Sequence, residues 1–279
     1  SKELQTNRGA EMTKRMNAAV FESLEQAKRA TYLSPANVDN WSNMAMLLQA
    51  IAPFTKGADE QAIKMYQEAL LHEPNNPAFF NEIAKIHILR SDAFRQLLQS
   101  NETVKREAMQ NIAQELDKAS EFLNQALQVK ADYAPAHYNL GLVYERQGRI
   151  KDSIAKLERV LEANPQDVGV AFQLAIMYYR NGERDKALNV LEQIVAFDKD
   201  YINARWYLAS LYEELGRYDD AIKQAQATLA LAPWNETVND RIKALIKASD
   251  SRRRPKLAPL PDPIKEEISA PAPKRLQNP

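Results

Sequence analysis

Apolar side chains recur at three- and four-residue spacing along most of the chain, as in Leu140 and Tyr144 followed by Ile150, Ile154 and Leu157. That spacing gathers the apolar groups on one face of an α-helix, and no stretch reads as strand. The elements predicted are therefore helices alone. They are punctuated at a fixed interval. Leu140, Leu174 and Leu208 stand 34 residues apart, each followed by a small residue (Gly141, Ala175, Ala209) and then by Tyr144, Tyr178 and Tyr212. Gly148, Gly182 and Gly216 come next, where a helix must stop and glycine enters the left-handed region at no steric cost. Ser153, Ala187 and Ala221 follow, and Pro165, Lys199 and Pro233 close the three units.

A unit of this length with small residues at its eighth and twentieth positions is a helix–turn–helix repeat. One such unit cannot bury its apolar face, so neighbours stack. The register continues upstream in weaker form. Trp41, Met44 and Ala45 lead to Ala62, Tyr66, Ala69 and Pro74, with about five extra residues in the turn between the two helices. Phe80, Ile83 and Ala84 lead to Ala119, Leu123 and Ala126, across an insertion of about 23 residues. Within that insertion Val104, Ala108, Ile112 and Leu116 form a four-spaced stripe, and Ser100 or Asn101 suits an N-cap with Glu102 behind it. The expectation is an overlong helical hairpin, each arm longer by ~17 Å at 1.5 Å per residue; a loop is the alternative. Ser23, Ala27, Ala30 and Pro35 fit a second helix whose first helix is missing or degenerate, since Ser1 to Gly9 is short and polar.

The chain is thus organised as an N-terminal half repeat (1–37), a repeat with a lengthened turn (38–76) and a repeat with the hairpin insertion (77–133). Three uninterrupted repeats (134–167, 168–201, 202–235), a capping helix (236–250) and a disordered proline-rich tail (251–279) follow. In the capping helix Val238, Ile242, Leu245 and Ile246 are expected to face the last repeat, and Asp240, Lys243 and Lys247 the solvent. The tail holds seven of the fourteen prolines and opens with Arg252, Arg253, Arg254 and Lys256. It reads as a basic linker sampling polyproline II, with a docking or membrane-surface segment as the sharper alternative.

These residues and their spacing resemble the tetratricopeptide repeat (TPR) family. The resemblance implies an all-α fold, a right-handed superhelical α-solenoid of antiparallel helix pairs, and a role in binding a protein or peptide segment. In that family the first helices line a concave groove through their second, fifth, ninth, twelfth and thirteenth positions. Carried onto this sequence, the fifth positions are Tyr138, Phe172 and Trp206, an aromatic at each of three consecutive repeats. Leu142 and Arg146, then Ile176, Tyr179 and Arg180, then Glu213 complete the candidate groove. A ring of this size buries about 150–250 Å², roughly 4–6 kcal/mol gross, of which association consumes a large part. The other reading is that the rings pack between neighbouring first helices. A clamp for a C-terminal carboxylate, which needs Lys, Asn and Arg at groove positions, does not fit, because the ninth positions are Leu142, Ile176 and Ser210. The proline-rich tail is itself a candidate occupant of an aromatic groove.

Composition narrows the function classes. Lysine plus arginine equals aspartate plus glutamate at 37 each, so no basic field argues for nucleic acid. The chain has no cysteine, which excludes disulfides, thiolate metal sites and a cysteine nucleophile while leaving the compartment open. No apolar run is long enough to span a bilayer. His72, His87 and His137 belong to different helices and lack metal-ligand partners at helical spacing, and packing explains His137. With no phosphate loop, nucleophile elbow or His-Glu-x-x-His, the expectation is a chain that is not an enzyme and uses no cofactor or metal.

Asn37-Val-Asp-Asn-Trp-Ser-Asn43, Gly57-Ala-Asp-Glu-Gln-Ala-Ile-Lys-Met-Tyr66 and Glu73-Pro-Asn-Asn-Pro77 carry a second likeness. They are similar to the soluble C-terminal TPR part of bacterial membrane proteins of the O-antigen ligase and polymerase type. That resemblance implies an accessory domain tethered on the extracytoplasmic side of the inner membrane, with ligase chemistry in a membrane part absent here; otherwise the compartment would be cytoplasmic. The start at Ser1, without methionine or signal pattern, reads as a cut end.

Overall fold

A computed structural model describes residues 2–250 and Pro263. The expected tail, 251–279, otherwise lies outside the described residues, and so does any docking or linker role for it. The chain divides into two compact units, Ser1–Ala163 and Asn164–Pro279.

The first unit holds α1 (Lys2–Leu33), α2 (Val38–Ile51), α3 (Ala58–His72), α4 (Pro77–Arg95) with a 3-10 turn (Gln96–Gln99), α5 (Glu102–Val129), α6 (Ala134–Arg146) and α7 (Ile150–Ala163). Helices α2 and α3, α4 and α5, and α6 and α7 pack as hairpins, and α3 on α4 and α5 on α6 join them. The second unit holds α8 (Val168–Arg180), α9 (Arg184–Phe197), α10 (Ile202–Glu214), α11 (Tyr218–Leu231) and α12 (Glu236–Asp250). Here α8 pairs with α9 and α10 with α11, while α9 meets α10 and α11 meets α12. No described residue is in a strand.

The small residues explain how closely the paired helices approach. Ala45, Ala84, Ala175 and Ala209 at the eighth position, and Ala62, Ala119, Ser153, Ala187 and Ala221 at the twentieth, are all buried. At Gly141 even a Cβ would meet Leu157 Cδ2 at 3.0 Å, and the Ser153 hydroxyl donates to the Gly141 carbonyl at 2.8 Å. Helix α12 breaks the series. Its eighth residue is Lys243, 67% exposed and bonded to Asp240 at 2.9 Å. The face that other first helices turn to their own second helix is here charged and wet.

Three helix ends share one hydrogen-bond pattern. The Arg149, Glu183 and Arg217 amides donate back to Tyr144, Tyr178 and Tyr212, and the Gly148, Gly182 and Gly216 amides to Glu145, Tyr179 and Glu213. This closure needs a left-handed residue, and the three glycines have φ of 75°, 83° and 72°. A Cβ in that region costs about 1–2 kcal/mol. Gly182→Ala should therefore lower the unfolding free energy by about that amount in a urea titration, with helicity retained. No loss would mean that the turn opens without penalty.

Two features depart from a plain array. Helix α1 runs unbroken through Lys2–Leu33, so the polar opening stretch continues the half repeat's helix and forms no separate first helix. Leu24 joins the α2–α3 core, and Asn40 donates to the carbonyls of Ala30 and Ser34 at 3.0 and 3.1 Å. The second feature is the long hairpin. Helix α4 has 19 residues against 13 in α6, and α5 has 28 against 14 in α7. Asn101 caps α5, its side chain accepting from the Val104 amide at 3.1 Å.

The root of that hairpin is keyed to both neighbouring turns. On one side Arg90 binds Asp59 at the start of α3, with Glu60 at 3.6 Å. On the other, Asp92 takes both arms of the Arg146 fork at 2.9 and 2.8 Å, and Gln147 donates to Asp117 at 3.2 Å. Inside, His87 Nδ1 meets Glu115 at 2.6 Å and its ring stacks on Phe122, centroids 5.7 Å apart.

Candidate functional site

The nine sequence-derived groove residues fall in both units, three on α6 and six on α8 and α10. On α6, Tyr138, Leu142 and Arg146 are half-buried. Arg146 is spent on the hairpin root, where it forks onto Asp92, so it steadies the fold before it can serve a ligand. The neighbouring seam is closed by Asn139, which donates to Asn81 of α4 at 2.8 Å with both side chains buried.

On α8, Phe172, Ile176 and Tyr179 are half-buried and Arg180 is exposed. Their spacing places them along one face of the helix. Phe172 packs against Tyr201 at 5.4 Å and edge-on against Tyr207 at 5.3 Å. The Tyr179 hydroxyl donates to Glu214, whose other oxygen accepts from Arg184 Nε at 3.0 Å. Burial, reinforced by the hydrogen bond to the Glu214 carboxylate, pushes the Tyr179 phenol up to about 12. It stays a neutral donor throughout the physiological range.

On α10 the arrangement differs. Trp206, expected as a groove anchor, is only 3% exposed. Its ring lies beneath Arg241 of α12, the guanidinium carbon 4.7 Å from the centroid. Arg241 Nη2 also donates to Ser210 Oγ at 3.0 Å and to Glu213 at 2.8 Å. The fifth, ninth and twelfth positions of α10 are therefore all taken by one side chain.

One register rule unites these contacts. The sixth residue of a first helix touches the fifth residue of the first helix before it: Asn139 on Asn81, Tyr207 on Phe172, Arg241 on Trp206. Phe172 and Trp206 thus have packing partners within the second unit, the alternative that periodicity alone left open. Sequence reasoning missed Tyr201, Tyr207 and Arg241 as neighbours of these rings. The signal that could have found Arg241 is its place, since it holds the sixth position once α12 is counted as a first helix.

Of the three histidines, His137 Nε2 bonds the Ala131 carbonyl at 2.9 Å, within its own turn. Among the described residues no three His, Asp or Glu side chains gather as a metal site, and no helix is long and apolar enough to cross a membrane.

The family model described as "Tetratricopeptide repeat" matches residues 147–232, and that described as "TPR repeat" matches residues 112–148. No curated protein matches the sequence. Among solved structures, the fold is similar to YrrB, described as "a TPR protein with an unusual peptide-binding site". The TM-score is 0.58 at 16% identity, over 79% of this chain and 100% of that one. It is similar to MamA, with a TM-score of 0.51 at 22% identity over 64% of this chain and 91% of that one. The APC/C hetero-tetramer Cut9–Hcn1 gives 0.54 at 16% identity, over 81% of this chain and 39% of that one. The family matches bear on the tetratricopeptide repeats alone and lend no support to the likeness to ligase-type membrane proteins. Helical hairpins closed at a 34-residue interval, the two family matches and these shared folds agree. The chain contains tetratricopeptide repeats, matched over residues 112–232, and shares the fold of tetratricopeptide-repeat proteins.

Proposed function

We propose that the chain is a non-catalytic scaffold that holds a protein or peptide segment on the exposed faces of its first helices. The α8 face carries the reading: Ile176 and Arg180 lie open or half-open beside Phe172 and Tyr179, whose partners hold them in fixed positions. Fixed rings with one accessible side supply apolar area without a large entropic cost on binding. Tyr138 and Leu142 on α6 offer a second, smaller patch in the first unit. Arg146, Trp206 and Glu213 are committed to internal contacts and contribute only where those contacts are exchanged.

Tetratricopeptide repeats are in general binding scaffolds rather than enzymes, and a peptide site is what the description of YrrB reports for that protein. The test is a displayed-peptide library panned on the full chain. Enriched peptides should lose about tenfold or more in affinity on Ile176→Asp, at unchanged far-UV helicity. Undiminished affinity would move the site off α8. A library that yields no specific peptide would remove the scaffold reading itself.

A further inference from the structure

Arg241 makes contacts that the packing of α12 does not require. That helix is seated by Val238, Ile242 and Leu245, all buried, and packs on α11. Arg241 instead reaches α10, where it finds a flat ring, a hydroxyl and a carboxylate: Trp206 at 4.7 Å, Ser210 at 3.0 Å and Glu213 at 2.8 Å. Ser210 is itself oriented, donating to the Trp206 carbonyl at 3.1 Å. Stacking on an aromatic face and hydrogen bonds in the guanidinium plane are the interactions that arginine makes better than lysine. Asn139 and Tyr207, in the equivalent places on α6 and α10, meet the fifth-position residue; Arg241 goes on to the ninth and twelfth.

The fit in cis is also incomplete. Arg241 Nε is buried and has no hydrogen-bond acceptor among the described residues, while Nη2 makes both polar contacts. A backbone held by the α12 packing fixes where the guanidinium can sit. An arginine arriving on another chain is free of that constraint.

We propose that Trp206, Ser210 and Glu213 form a binding site for an arginine side chain of a protein partner, and that Arg241 fills it in cis until the partner takes its place. The proposal rests on the scaffold reading above and names the chemistry of one part of the ligand. A tethered occupant acts at a high effective concentration, so weak or incidental arginines are kept out. A ligand anchored elsewhere on the molecule gains enough affinity to displace it, and a free arginine does so only in excess over that effective concentration, on the order of millimolar.

The chain has three tryptophans, and Trp41→Phe with Trp234→Phe leaves Trp206 as the sole indole reporter. In that background Arg241→Ala should bind N-acetyl-arginine amide about tenfold or more tightly than the Arg241 form, read as a shift in Trp206 emission. N-acetyl-citrulline amide, which lacks the charge, should give no response, and adding Glu213→Gln should abolish the arginine response. A response to both ligands, or to neither, overturns the proposal. If Arg241→Ala loses helicity, hydrogen exchange of the unaltered chain decides. N-acetyl-arginine amide in excess should speed exchange in residues 236–250 while the citrulline analogue does not, and equal exchange overturns the proposal. Panned peptides lost on Ile176→Asp would leave the scaffold reading standing even then. An arginine response with no panned peptide would remove that reading and keep the site.

Discussion

Trp206→Ala should destabilise the second unit by about 3–5 kcal/mol, the cost of emptying a buried tryptophan site. The ring is almost wholly enclosed, and its removal also takes away the surface on which Arg241 lies. Urea titration followed by far-UV circular dichroism measures the loss; a drop below about 1 kcal/mol would mean that the ring is not enclosed in solution. Phe172→Ala should cost less, because that ring is half-buried and keeps Tyr201 and Tyr207 beside it. The contrast bears directly on binding assays. Loss of partner capture by Trp206→Ala would report a damaged fold, whereas Ile176→Asp reads the α8 surface.

The second large effect is expected at the root of the long hairpin. His87 and Glu115 are 5% and 7% exposed, and their contact crosses from α4 to α5. His87→Ala takes a hydrogen-bond partner from the buried Glu115 carboxylate, leaving it Lys118 at 3.3 Å, and should cost about 3–5 kcal/mol. His87→Phe combined with Glu115→Leu should recover most of that loss, since an apolar pair of similar volume needs no desolvated charge. A double variant as unstable as the single would show that the pair is worth more than its packing.

The same pair gives a pH dependence with a definite sign. Burial pushes the His87 imidazolium down, against the opposing pull of the Glu115 carboxylate, so its pKa lies below the ordinary histidine value. The unfolded chain, near 6.5, then takes up the proton first on acidification. The contribution is complete above that pH and is lost as the pH falls below it. The Phe–Leu double variant should lack this component of the pH profile.

The fold class was legible because its signals are local. A glycine with positive φ, an asparagine cap and a small residue where two helices cross all act within one hairpin, so spacing alone carries them. The helical character of residues 102–116 was legible for the same reason, since four-residue spacing survives inside an insertion. What spacing does not carry is contact between helices. His87 and Glu115 are 28 residues apart, Asp92 and Arg146 are 54 apart, and nothing in either segment marks the other. The aromatic ladder illustrates the limit most clearly. Periodicity aligned Tyr138, Phe172 and Trp206, but exposure depends on the sixth residue of the following first helix. Tyrosine there leaves Phe172 half-open, and arginine closes Trp206. Continuity of α1 was the converse case, because the polar opening stretch carries no apolar spacing from which a helix could be read.

Lys243 has a consequence for anyone wishing to build on this molecule. A hairpin partner laid against α12 would have to press its small twentieth residue onto an ammonium group, stripping water from it at a cost of several kcal/mol. Alanine or glycine occupies that crossing in the five preceding first helices. The stack is therefore directional as a material: modules spliced after α12 would need that lysine exchanged for alanine before they could dock, whereas α1 already carries the small side chains Ser23, Ala27 and Ala30 along the corresponding row of a second helix.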